Sequence, residues 1–338
     1  MSAEIAQQPD VLAGLLADRS QIAQVARHIG ARQPRFALLA ARGSSDHAAL
    51  YAKYLVEILL QIPAGLLSPS TTTLYGARPD LSDVLLISVS QSGGSPDLVE
   101  ATALARERGA MTVAVSNTPG SELSATTEFA VDIGAGDELA VAATKTYTAT
   151  LMALYLLVDA IRGGDGTTAA GTPQAAAATL ESSIAAVGEA VTRYRFAERV
   201  LACGRGFSSA SAAEAALKLA ETSYLAARSY SGADLLHGPV ASVDAETAVL
   251  AMTSKGKGGE AMREVLATVA ESGADVLAIG SAAADMPAAL RIPTAAVPEE
   301  LAPIVEILPA QRLALRLALA RGVDPDQPRG LHKVTRTR

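Results

Sequence analysis

A single cysteine, Cys203, serves the whole chain, tryptophan is absent, and only four phenylalanines and four histidines occur among 338 residues. One cysteine excludes an internal disulfide framework, and the lack of a Cys/His cluster excludes a zinc-type ligand set. A reduced, cytoplasmic location is therefore expected, with no metal. Aromatics make up 4% of the residues, so the core must be packed from alanine, leucine and valine. Positive charge is also scarce: 28 Lys and Arg against 35 Asp and Glu leave a net charge of −7. That balance supplies no field for nucleic acid or for an anionic membrane, and an anionic ligand would have to be held by local geometry. No long apolar run is present either. The opening MSAEIAQQPDVLAGLLADRS carries Glu4, Asp10 and Asp18 among its apolar residues, which argues against a signal peptide or a span and for a docked helix.

What is present repeats. Phe36–Ala41 (FALLAA) reads as a strand, followed by a polar turn, Arg42-Gly43-Ser44-Ser45-Asp46, and an alanine-rich helix. The same order returns at Val200–Cys203, then Gly204-Arg205-Gly206-Phe207-Ser208-Ser209, then ASAAEAALKLAETSYL. A second matched pair is DVLLISVSQSGGSPDLVEATALARERGA from Asp83 and AVLAMTSKGKGGEAMREVLATVAESGA from Ala248. Strands alternating with helices predict right-handed βαβ units and parallel sheets, here duplicated: an α/β chain of two tandem doubly wound domains. The polar stretch GGDGTTAAGTPQA separates the halves. The expected division is an N-terminal helical segment at 1–30, a first domain at 31–162, a linker at 163–178, a second domain at 179–322 and a tail at 323–338.

The two copies have diverged at one turn. The first reads Ser90-Gln91-Ser92-Gly93-Gly94-Ser95 and the second Ser254-Lys255-Gly256-Lys257-Gly258-Gly259. Hydroxyls and backbone amides between a parallel strand and a helix N-terminus form a cradle for a phosphate, with Ser90, Gln91, Ser92, Ser95 and, from the preceding turn, Ser45 as donors. Ordinary cap and turn chemistry is the plain alternative for these residues. A dinucleotide site is disfavoured, since no G-x-G-x-x-G follows the first strand. In the second half, Glu214, Lys218 and Glu221 share one helix face among alanines and leucines. A solvated ion-pair stripe is the common explanation of such spacing, as a solvated turn is for Lys255 and Lys257. His237 lies in a Gly-Pro turn, and with Glu221 and Lys218 it makes a plausible acid-base set.

SVSQSGGSPD, GDELAVAATKTYT, AAEAALKLAETSY, YSGADLLHGP and GVDPDQPRGLHKVT follow one another in an order that resembles the tandem sugar isomerase (SIS) domains of glucosamine-6-phosphate synthase, from about residue 4 to 337. The glutaminase domain with its leading cysteine has no counterpart, so the chain is similar to stand-alone double-SIS relatives with flavodoxin-like domains. The resemblance implies phosphate ligation by Ser45, Ser90, Gln91, Ser92 and Ser95, and sugar contacts from Gly43, Ser44, Glu138 and the Val141 backbone. It makes Glu221 the base between C1 and C2 with Lys218 beside it, and His237 the ring opener, reaching across a homodimer interface. Lys333 would meet the open-chain carbonyl, on a tail that acts as a lid. Gly94, Ala143, Arg228 and Asp234 depart from the synthase pattern. The implied activity is deamination and isomerisation of a hexosamine 6-phosphate, glucosamine 6-phosphate to fructose 6-phosphate and ammonia, with no cofactor. An N-acetylglucosamine-6-phosphate dehydratase, a fructosamine-6-phosphate deglycase and a non-catalytic sugar-phosphate sensor remain open alternatives.

Overall fold

The computed structural model describes residues 1–331 and residue 333. Among them are two five-stranded sheets, each parallel throughout. The first contains β1 (Phe36–Ala40), β2 (Ala64–Leu66), β3 (Val84–Val89), β4 (Met111–Ser116) and β5 (Phe129–Asp132), in the order β2-β1-β3-β4-β5. The second contains β6 (Arg199–Gly204), β7 (Arg228–Ser231), β8 (Thr247–Met252), β9 (Asp275–Gly280) and β10 (Leu290–Pro293), in the order β10-β9-β8-β6-β7. Read from its other edge, the second order is the first one again. Both are doubly wound flavodoxin-like arrangements, whose crossovers change direction between the first and third strands of each half.

The central strands are continuous apolar runs rather than alternating ones, because helices cover both faces of a parallel sheet. All six residues of β4 and of β8 are buried. Alanine-rich helices permit close approach. Lys145–Ile161 is buried along nearly its whole length, and so is Ala302–Ala320, which packs on Ser208–Ser223.

Two compact units result. One gathers Asp10–Glu138 and Lys145–Ala170 together with Lys333; the other gathers Gly171–Leu331 with two excursions, Met1–Pro9 and Leu139–Thr144. The excursions are fastened by polar groups. Gln8 donates from Nε2 to Gln311 Oε1 at 2.9 Å, and Gln311 donates to the Thr144 carbonyl at 3.2 Å, so two buried amides satisfy each other. The stretch read as a linker already contains helix from Thr172, since PQAAAATL places proline in a first turn and alanines after it. Among the described residues no helix is long and apolar enough to cross a membrane.

Candidate functional site

β1 and β3 are hydrogen-bonded neighbours in register, Leu39 with Ile87 and Ala40 with Ser88, so the chain leaves both at the same sheet edge. After β1, Gly43 caps the helix Ser44–Leu55, which puts Ser44 and Ser45 in its first turn. After β3, Ser90–Ser95 leads into the helix Pro96–Glu107, with Ser95 at the cap. Arg42 ties the two turns together, donating from Nη2 and Nε to Asp97 Oδ2 at 2.7 and 3.1 Å. Nothing local in the sequence pairs these two residues, and sequence reasoning missed them. Gly93 is left-handed (φ +62°), and a Cβ there would lie 2.1 Å from Ser121 Oγ, so only glycine fits. The N–H of Gly93 donates to Ser90 Oγ at 3.1 Å and that of Gly94 to Ser92 Oγ at 3.3 Å. Two helix N-termini and several hydroxyls thus share one edge at a strand-order switch, a setting that favours an anion.

Glu138 organises the rest of this unit. Its buried carboxylate accepts from Thr146 N at 3.2 Å, Thr146 Oγ1 at 2.6 Å, Gln91 Nε2 at 3.2 Å and Lys333 Nζ at 3.2 Å. One side chain, expected against a sugar, therefore joins the serine turn, the start of the Lys145–Ile161 helix and the tail lysine.

In the other unit the charged stripe is not a solvated face. Glu214 and Lys218 are fully buried, and Glu221 keeps 22% of its side chain exposed. Lys218 Nζ lies 3.3 Å from Glu214 Oε1 and donates to Glu221 Oε2. Burial alone would lower the Lys218 pKa; the two carboxylates more than offset it and hold the ammonium above the ordinary lysine value. Beyond Glu221 the helix ends at left-handed Tyr224, whose hydroxyl accepts from the Arg329 N–H at 2.6 Å while the Arg329 guanidinium stands 4.8 Å from its ring. Val141 lies in the Leu139–Thr144 excursion, held where Glu4 Oε1 accepts from the N–H groups of Leu139 and Ala140 at 2.5 and 3.1 Å.

His237 is exposed after the short helix Gly232–Leu236 and makes no side-chain hydrogen bond to these groups among the described residues. Two of the departures lie nearby: Asp234 accepts from Ser231 Oγ at 2.6 Å, and Arg228 is exposed at the start of β7. His332 lies outside the described residues.

The matching turn of the second sheet, between β8 and the helix Lys257–Glu271, is built differently. Glu299 Oε1 accepts from Gly258 N at 2.7 Å and Oε2 from Lys257 N at 3.0 Å. Gly256 (φ +134°) makes room: a Cβ there would fall 2.2 Å from Glu299 Cδ. Below it, Ser254 Oγ donates to Oε2 of Glu306, a fully buried carboxyl whose pKa burial pushes upward. Lys255 and Lys257 have exposed side chains. Neither glutamate was legible as part of this turn, because both arrive from more than forty residues downstream.

Residues 32–160 and 194–321 each match the SIS domain model. The chain belongs to the SIS domain family. A glutamine–fructose-6-phosphate aminotransferase (isomerizing) from Gloeobacter violaceus is 35% identical over 98% of the SIS chain and 58% of that protein; the one from Pyrobaculum aerophilum is 36% identical over 98% and 56%. The chain thus spans somewhat over half the length of these curated relatives. A candidate phosphosugar isomerase from Silicibacter pomeroyi DSS-3 superposes with a TM-score of 0.88 at 34% identity, covering 96% of the SIS chain and 98% of its own. Glucosamine-6-phosphate deaminase from Thermotoga maritima shares the fold, with a TM-score of 0.82 at 22% identity and 99% coverage of both chains.

Proposed function

We propose that the protein is an aminosugar-6-phosphate deaminase/isomerase, converting glucosamine 6-phosphate and water to fructose 6-phosphate and ammonia. The observation that carries this reading is the pair Lys218–Glu221: a partly exposed carboxylate backed by a fully buried lysine, which is how a base is held in a fixed pose while its outer oxygen stays accessible. The names of the similar proteins, an isomerizing aminotransferase and a phosphosugar isomerase, support the substrate class.

In this reading the serine turn with Ser45 takes the phosphoryl group, and Gly43, Ser44, Glu138 and Val141 bound the sugar. Glu221 removes the proton from C2 of the open-chain aldose and returns it to C1. The product is a ketimine at C2, which water hydrolyses with loss of ammonia. Lys218 orients Glu221, and Lys333 meets the carbonyl oxygen. His237, exposed on its own unit, opens the ring of a substrate bound by a partner copy in a homodimer. Binding the remote phosphate contributes orientation energy at C1 and C2. No metal ligand set of three or more His, Cys, Asp or Glu occurs among the described residues, and the steps above require none.

Incubation with glucosamine 6-phosphate and, separately, N-acetylglucosamine 6-phosphate tests this. Ammonia from the first is expected; near-UV enone absorbance from the second without ammonia from the first would replace the deaminase by a dehydratase using the same base. Mixing Glu221→Gln with His237→Ala chains should restore part of the activity lost in each, through mixed dimers with one intact site.

A further inference from the structure

The second sheet repeats the strand order of the first, and its Ser254–Gly259 turn stands where the serine turn stands, at a switch point and before a helix of 15 residues. We propose that this turn is a second anion site of the phosphate class, that its resident ligand is the protein's own Glu299 carboxylate, and that this tethered ligand is why each chain takes one sugar phosphate rather than two.

The Glu299 carboxylate sits as a bound anion would. Each oxygen receives one backbone N–H, from Gly258 at 2.7 Å and Lys257 at 3.0 Å, at the positive end of the helix. The absence of a side chain on Gly256 leaves the volume that Glu299 fills, so the turn is shaped around a ligand. Three exposed cations belong to these turns, Arg205 after β6 and Lys255 and Lys257 after β8. Beneath, Ser254 is hydrogen-bonded to the fully buried Glu306, whose Oε1 makes no hydrogen bond of ordinary length among the described residues, with the hydroxyls of Ser208 and Ser211 close to the same carboxyl. In the first half the corresponding amides of Gly93 and Gly94 rest on hydroxyls of their own turn, which an incoming phosphate can replace or share. Glu299 also precedes the Ala302–Ala320 helix directly, so its carboxylate is presented at high effective concentration and outcompetes free phosphate.

The one-per-chain stoichiometry rests on the phosphate role proposed for the serine turn; the assignment of Glu299 does not. Equilibrium dialysis of the full chain against radiolabelled inorganic phosphate separates the two. Glu299→Ala is expected to bind one phosphate per chain more than the wild type, at a site that survives Ser90→Ala/Ser92→Ala, with phosphate binding at this turn strengthened by roughly tenfold or more. Should Glu299→Ala fail to fold, Glu299→Gln, which keeps the volume and removes the charge, is read by thermal unfolding. Phosphate must raise its melting temperature more than that of the wild type at matched ionic strength. A folded Glu299 variant that gains neither the extra phosphate nor the extra stabilisation overturns the proposal. Persistence of the first phosphate site in Ser90→Ala/Ser92→Ala, with the second gained in Glu299→Ala, would instead overturn the role of the serine turn and leave the assignment of Glu299 standing.

Discussion

The two Gly-rich turns stand at equivalent points of equivalent sheets, yet one is lined by serines and the other is stoppered by a glutamate. After β3, backbone amides rest on Ser90 and Ser92; after β8, they hold the carboxylate of Glu299, which comes from a different part of the chain. The backbone physics is common to both: a helix N-terminus with unpaired N–H groups attracts negative charge wherever it occurs. What differs is whether the protein supplies that charge itself. A duplicated fold can therefore keep the scaffold of a turn while changing the groups that line it, and function has to be argued from the side chains rather than the topology.

The sharpest test of the asymmetry is catalytic. Glu221→Gln should lower kcat by about 10²- to 10⁴-fold in the ammonia-release assay, whereas Glu299→Gln should leave it within about twofold. A comparable loss from Glu299→Gln would show that the second turn takes part in turnover. Stability comes next. Lys218→Met leaves Glu214 and Glu221 without their shared cation, and the urea midpoint should fall by the equivalent of about 3–5 kcal/mol. At the first turn, Gly93→Ala forces a side chain into a left-handed position against Ser121, costing roughly 1–3 kcal/mol and raising KM for the phosphosugar. Gly256→Ala collides with Glu299 instead, so part of its loss should return in the Gly256→Ala/Glu299→Ala double variant, as a thermal-melt cycle would reveal. The smallest effect concerns pH. The carboxyl of Glu306 has a folded pKa above its ordinary value, so its protonated form favours the fold below that ordinary value. The contribution is lost as pH rises through the higher, folded one. Glu306→Gln should therefore melt higher relative to the wild type at pH 8 than at pH 5, and a gap independent of pH would rule this out.

Much of this molecule was legible from its sequence because its signals are local. FALLAA, VLLISV and MTVAVS are strand-length apolar runs, the turns after them carry Gly and Ser, and the order recurs in both halves. Together these predict parallel sheets without any tertiary information. The helical face shared by Glu214, Lys218 and Glu221 also follows from spacing. Their burial does not: it arises from the packing of Ser208–Ser223 on Ala302–Ala320, and local pattern alone favours a solvated stripe. The Arg42–Asp97 clasp, the meeting of Gln91, Thr146 and Lys333 on Glu138 and the insertion of Glu299 each join residues from distant parts of the chain. No periodicity records such pairings.

By itself, then, the sequence determined the element types, their repetition, the parallel topology and the two candidate turns, since each depends on hydrophobic spacing, glycine and proline placement, or helix capping within a short window. Only the tertiary structure decided which polar groups meet: that Lys218 is sealed between two carboxylates, that Glu138 gathers Gln91, Thr146 and Lys333, and that the second turn is filled by Glu299. Those outcomes depend on desolvation and on contacts between distant segments, and both come into being when the chain folds.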